Sequence, residues 1–216
     1  REHLLRTARA LLEAGTSLDD LGLNALAREA AMTKSNVYRY FESREALLLE
    51  LLHDEWTQWF ATLTSTWTSP PPTTPTTTTL RALCAHLATT LVARPLLCTL
   101  TAALPSVLEH NIGEDMAREF KLVTLLFFDE VAGFIGDVVP ALAGRPAWRV
   151  MQDGAVVLTG LWPHVHPAPS VQAAIDATPA LSAFVRDAEA DLARLFYAVA
   201  FDLLSSTSTS PAAASS

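Results

Sequence analysis

Lys34, Ser35 and Asn36 follow a hydroxyl residue, Thr33, and precede the spaced pair Tyr38 and Tyr40, with Arg28, Arg39 and Arg44 distributed around them. Each type suits contact with nucleic acid. Lysine donates to the N7 and O6 acceptors of guanine, asparagine pairs with adenine through its amide, and serine serves either partner. Tyrosine hydroxyls, arginines and a helix N-terminus hold phosphate oxygens. Taken singly, Tyr38 and Tyr40 have a weaker alternative as half-buried core aromatics, and Arg39 and Arg44 as solvated charges on a face. No bond-making pattern competes with this reading: the chain has no HExxH pair, GxSxG elbow, phosphate loop or EF-hand spacing. No catalytic residue, metal ligand or cofactor is expected, and the chain is not read as an enzyme.

Such a row of donors needs a frame that can enter a groove. Leu4, Leu5, Ala8, Leu11 and Leu12 recur at helical spacing, so a first helix is expected from Glu2 to Ala14, stopped by Gly15. A loop through Ser17, Asp19 and Asp20 leads to a short second helix marked by Leu23, Leu26, Ala27 and Ala30, with Gly22 as its N-cap. Thr33 caps a third helix whose inner face is Val37, and Tyr40 and Phe41 close it. Ser43 caps a fourth that carries Leu47, Leu48, Leu51, Leu52, Trp56, Trp59, Phe60 and Leu63. Ala27 is the small residue where two helices cross, and Ala30-Ala31-Met32 makes a tight connection. That is the requirement of a helix-turn-helix, here between Leu23 and Tyr40.

The run Leu26-Ala27-Arg28-Glu29-Ala30-Ala31-Met32-Thr33-Lys34-Ser35-Asn36-Val37-Tyr38-Arg39-Tyr40-Phe41, followed by Ser43-Arg44-Glu45-Ala46-Leu47, closely resembles the DNA-binding head of the TetR family. The match covers about the first fifty residues. It implies that the third helix reads the major groove, with Lys34, Ser35 and Asn36 at its groove-facing start. Tyr38 and Tyr40 then stand at phosphate-contacting aromatic positions and Arg44 at a basic one; Arg28, Thr33 and Arg39 complete the expected DNA-binding set. Two positions depart from the pattern. Ala31 stands where the family usually has glycine, and Gly22 where it usually has a hydroxyl cap. Alanine in left-handed geometry costs roughly 1–2 kcal/mol, so the turn either carries that strain or relaxes to another backbone. The glycine cap costs only a few tenths of a kcal/mol.

Charge confines any DNA contact to this head. The net charge of −8 excludes a broad polyelectrolyte binder. Seven basic residues meet eight acidic ones through Glu50, leaving −1 there and −7 for the rest. The 50% hydrophobic content raises a membrane alternative, most strongly at Leu122 to Leu142. That stretch holds Asp129, Glu130 and Asp137, each costing about 2.5–3.5 kcal/mol near a bilayer centre. It reads better as a buried central helix. The chain opens on Arg1-Glu2-His3 rather than Met, with no signal-peptide core, and residues before Arg1 are expected in the natural protein. Cys84 and Cys98 match no redox or metal spacing, which points to a reduced cytoplasmic protein.

The body is expected to be helical too. Helices are placed at Leu80–Ala93, Pro95–Leu104, Ser106–Asn111, Glu114–Val139, Pro146–Trp162 and Pro179–Leu204, after a Pro- and Thr-rich loop from Thr66 to Thr79. The fold class is all-α: a three-helix head over 1–46, a ligand-binding and dimerisation domain over 47–204, and a disordered tail over 205–216. The resemblance implies a homodimer through the last two long helices, for which Val150, Ala155, Leu158, Leu192, Leu195 and Val199 are the candidate seam. Trp56, Trp59, Phe60, Leu63, His86, Phe120, Phe127, Trp148 and Trp162 are candidates to line an apolar pocket, although such aromatics are as a rule plain core. His164-Val165-His166 alone is a weak metal signature. The partners implied are a palindromic or pseudo-palindromic operator, a second copy and a small apolar ligand, with no membrane. The function implied is a repressor released by that ligand. The alternatives are an apolar-ligand carrier or helical-bundle enzyme without DNA function, and a regulator that needs no ligand.

Overall fold

The computed structural model describes residues 1–209; among them there are ten α-helices and no strand. They divide into two compact units, Arg1–Gln58 with Ala103–Thr124, and Trp59–Ala102 with the described residues from Leu125 onward.

The first unit begins with α1 (Glu2–Glu13), α2 (Leu23–Glu29), α3 (Lys34–Tyr38) and the start of α4 (Arg44–Thr66). Its core is Leu4, Ala8, Leu21, Leu26, Val37, Phe41, Leu47, Leu48, Leu51 and Leu52, all essentially inaccessible. Burying a leucine or phenylalanine is worth about 1.5–3 kcal/mol, so this cluster fixes where the short helices lie. Ion pairs bind α1 to α4: Arg1 meets Glu50, and Arg9 meets Asp54 at 2.6 Å and Glu55 beside it. Both α1 and α2 end in the same reciprocal closure. Thr16 N donates to Leu11 O and Gly15 N to Leu12 O; Met32 N donates to Ala27 O and Ala31 N to Arg28 O. These are Schellman pairings, in which the residue after the cap is left-handed. Gly15 meets that demand at φ 99°, and Ala31 meets it at φ 52°. The turn therefore carries the strain rather than relaxing.

The second unit contains α5 (Thr76–Val92), α6 (Pro95–Ala103), the later part of α7 (Glu114–Val138), α8 (Arg145–Val165), α9 (Pro169–Ala177) and α10 (Ala188–Thr209). Helix α10 packs on α5 and α8 through Leu192, Phe196 and Ala200, each buried. Thr89 donates to Glu189 at 2.6 Å, and the Arg81 guanidinium sits over the Tyr197 ring at 4.2 Å. At Gly136 a β-carbon would stand 3.1 Å from the Ala143 Cα, so glycine there allows the chain after α7 to fold back closely.

Several sequence-based boundaries are corrected. Helix α5 starts at Thr76, inside the expected loop, and α8 continues through Pro163 to Val165. A π-helical turn (Leu104–Leu108) and a 3-10 turn (Glu109–Asn111) replace one expected helix. The expected helix Pro179–Leu204 is a 3-10 turn (Pro179–Phe184) followed by α10, which runs on to Thr209; the rest of the expected tail lies outside the described residues. Helix α9 was not foreseen. The Leu122–Leu142 stretch is buried at Phe127, Val131, Ile135 and Val139, but Leu122, Leu125 and Leu126 are exposed on the single chain. No single described helix is long and apolar enough to cross a membrane.

Candidate nucleic-acid interface

The left-handed turn at Ala31 sets the direction in which α3 leaves α2. His3 on α1 donates from its ring to Ala30 O at 3.1 Å, pinning the turn from the other side. Thr33 then caps α3, its hydroxyl accepting from Asn36 N, and lies 3.2 Å from the Ser35 hydroxyl. Val37 is the only buried residue of this five-residue helix. With Val37 anchored inward, Lys34, Ser35 and Asn36 are all exposed, as is Arg28 on the preceding helix.

Tyr38 and Tyr40 are 51% and 37% exposed, so neither is a core aromatic. The Arg39 guanidinium lies over the Tyr40 ring at 5.3 Å and reaches its hydroxyl at 3.3 Å. This pairing offers a cation and a hydroxyl side by side, as phosphate oxygens require. From Arg28 to Tyr40 the chain carries three basic residues against one acidic one, Glu29, so this stretch is locally positive although the head as a whole is not.

Arg44 is placed differently from its neighbours. Its side chain is only 24% exposed, and its donors go to Asp19 O at 3.0 Å, Leu18 O at 3.4 Å and the buried Glu45 carboxylate at 2.8 Å. It fastens the loop after α1 to the start of α4, where Ser43 accepts from Ala46 N at 3.0 Å as expected of a cap.

Comparison with known proteins decides what this frame is. Residues 4–51 match the family described as bacterial regulatory proteins, tetR family, and residues 53–200 match the tetracyclin repressor-like C-terminal domain. The chain belongs to the TetR family. TetR proteins are DNA-binding transcription regulators, and the helix-turn-helix head with a helical C-terminal domain is their arrangement. No curated protein matches the chain. Among solved structures, one from Streptomyces coelicolor A3(2), described as a candidate transcriptional regulator, is 20% identical over 97% of this chain and 98% of its own, with a TM-score of 0.42.

In this TetR protein the expected pocket residues make ring contacts within each unit. Trp56 and Phe120 stack in the first unit with centroids 5.7 Å apart. In the second unit Trp59, Phe60, Phe127, Phe128 and Trp148 form a chain of ring contacts at 5.9–6.4 Å. Leu63 is buried, and His86 donates from its ring to Leu63 O at 3.0 Å. The indole N–H of Trp59 donates to Thr90 and that of Trp162 to Thr99, both at 3.1 Å. The Trp162 ring lies tilted against that of His166, with centroids 4.0 Å apart. Trp67 and Phe134, which the sequence reading missed, extend that chain through Phe60 and His86. The available signal was an aromatic residue stranded among threonines. Of the expected seam, Val150, Leu158 and Leu192 are buried within one chain, whereas Ala155, Leu195 and Val199 keep partial exposure.

Proposed function

We propose that this TetR-family chain acts as a homodimeric repressor in the cytoplasm, binding a palindromic or pseudo-palindromic operator through α3 and leaving it when a small apolar molecule binds the body. One observation carries the DNA reading: Val37 alone anchors α3, leaving Lys34, Ser35, Asn36, Tyr38 and Arg39 presented together. Lys34 and Asn36 are assigned to base edges, with Ser35 between them. Tyr38, Tyr40, Arg39, Arg28 and the Thr33 end of the helix are assigned to phosphates, and Arg44 to the same border with a prior duty in holding the loop.

Two-fold symmetry supplies two such helices about 34–36 Å apart, one turn of DNA. The family's use of its last two long helices supports a seam on α8 and α10, to which Ala155, Leu195 and Val199 contribute from the surface and Val150, Leu158 and Leu192 by setting the helices from within. The ligand reading is supported by the apolar ring chain from Trp59 to Trp148 and by the form of α4, one uninterrupted helix from Arg44 to Thr66. A tilt of that helix at Phe60 or Leu63 moves its Arg44 end. Selection of bound sequences from random DNA tests the proposal. The expected product is a site with inverted half-repeats one turn apart, bound more weakly when an apolar effector is present. An unenriched pool would overturn the operator reading.

A further inference from the structure

Helices α1 and α2 end in closures of one form, so the head contains its own comparison. The two cap residues, Ala14 and Ala30, have the same backbone, φ −77° and ψ 0°. The left-handed residue that follows is glycine in one, at φ 99°, and alanine in the other, at φ 52°. Glycine adopts that geometry freely, whereas the alanine β-carbon crowds the backbone there. The closures also differ at the cap carbonyl. Ala30 O accepts from the His3 ring at 3.1 Å, while among the described residues no side chain bonds to Ala14 O. The closure that carries a β-carbon is thus the one held from outside. His3 is well placed to hold it, because the next residue, Leu4, is fully buried and the His3 carbonyl accepts from the Thr7 hydroxyl at 2.9 Å. A carbonyl can only accept, so the bond requires a proton on His3 Nε2.

We infer that His3 is a positioning residue for operator readout: its ring holds the Ala31 turn in the left-handed geometry from which α3 presents Lys34, Ser35 and Asn36. This rests on the assignment of α3 to the operator made above. Ala31 stands two residues before the Thr33 cap, so a change in its φ swings the whole start of α3. Val37 is the single buried residue of that helix, and one anchor cannot fix an axis. The turn therefore sets the tilt, and the residues assigned to base edges lie at the end nearest to it. His3 need not touch DNA to do this. Strained backbone persists where its surroundings over-determine it, and the bond to Ala30 O is such a constraint. Ala31→Gly removes the strain and, with it, the need for His3.

The probe is the duplex that the wild-type chain selects from random DNA, with a scrambled duplex of equal length beside it, both at one fixed salt concentration. An unenriched pool ends the operator reading and this one together. Given an operator, His3→Ala weakens its binding about tenfold and leaves the scrambled duplex unchanged. His3→Gln, whose amide N–H can serve the same carbonyl, restores most of the affinity. In the Ala31→Gly background His3→Ala has little effect, which general loosening of α1 would not produce, and this double variant carries the test if His3→Ala alone does not fold. Equal losses on both duplexes make His3 a phosphate contact and overturn the inference while the operator reading stands. An unchanged operator affinity does the same, as does a loss of binding or of folding that Ala31→Gly fails to relieve.

Discussion

Ala31 is the residue on which the DNA-binding head leans hardest. Its φ of 52° places a β-carbon where Gly15, in the matching closure of α1, has none. Ala31→Gly should stabilise the chain by about 1 kcal/mol, the steric relief exceeding the added freedom of the unfolded state. Gly15→Ala should shift stability the other way, and urea unfolding of both variants checks the pair. On the adjacent surface, Lys34→Ala and Asn36→Ala should each cost about 1–3 kcal/mol on the selected operator and relax one position of it. Tyr38→Phe and Tyr40→Phe should instead weaken all sequences alike, so binding measured on a panel of single-base operator variants separates the two classes. A third expectation concerns thiols. Burial pushes both Cys84 and Cys98 up to about 12, so neither should react with a thiol reagent at neutral pH until the chain unfolds.

At the scale of elements, Arg44 joins the loop after α1 to α4, and its removal leaves the Glu45 carboxylate buried without its cation. Arg44→Ala should therefore destabilise the DNA-free protein by about 1–3 kcal/mol, part of which Glu45→Gln restores in the double variant; a residue serving phosphate alone would leave unfolding unchanged. The start of α10 has a pH dependence of its own. Arg194, with Arg186 beside it, holds the Asp191 carboxyl below its ordinary 3.8. The ionised form is the one the fold favours, so this support is complete above 3.8 and disappears as pH falls through the lowered value. Carboxyl NMR titration should show it, and Asp191→Asn should abolish the acid transition at this helix start.

The elements also show what the sequence could tell. The caps at Thr33 and Ser43, the stop at Gly15 and the inward Val37 were all readable, because each depends on neighbours within four residues. Pro169 opens α9 from the first helical position, where proline is well suited. Pro163 stands inside α8, two residues before its end. The inward commitment of Arg44 was unreadable, since its acceptors, the carbonyls of Leu18 and Asp19, lie 26 and 25 positions back. Exposure of Leu122, Leu125 and Leu126 likewise depends on what packs there and not on their periodicity.

For the whole molecule, the release mechanism sets a number that can be missed. A hundredfold loss of operator affinity requires about 2.7 kcal/mol of coupling between the effector and DNA sites. Reciprocity demands that saturating operator weaken the effector by the same factor, which tryptophan fluorescence titrations at one fixed salt concentration can measure. Tight binding of an apolar compound that left operator affinity untouched would remove that compound as an effector. The manner in which α3 is held has a further consequence. Since Val37 is its only buried member, Lys34, Ser35, Asn36 and Tyr38 form an address label rather than a structural part. Exchanging those four side chains for another set should redirect the regulator to a different promoter while it goes on answering the same chemical signal, and a synthetic circuit could assign one sensor body to many genes by changing the label alone.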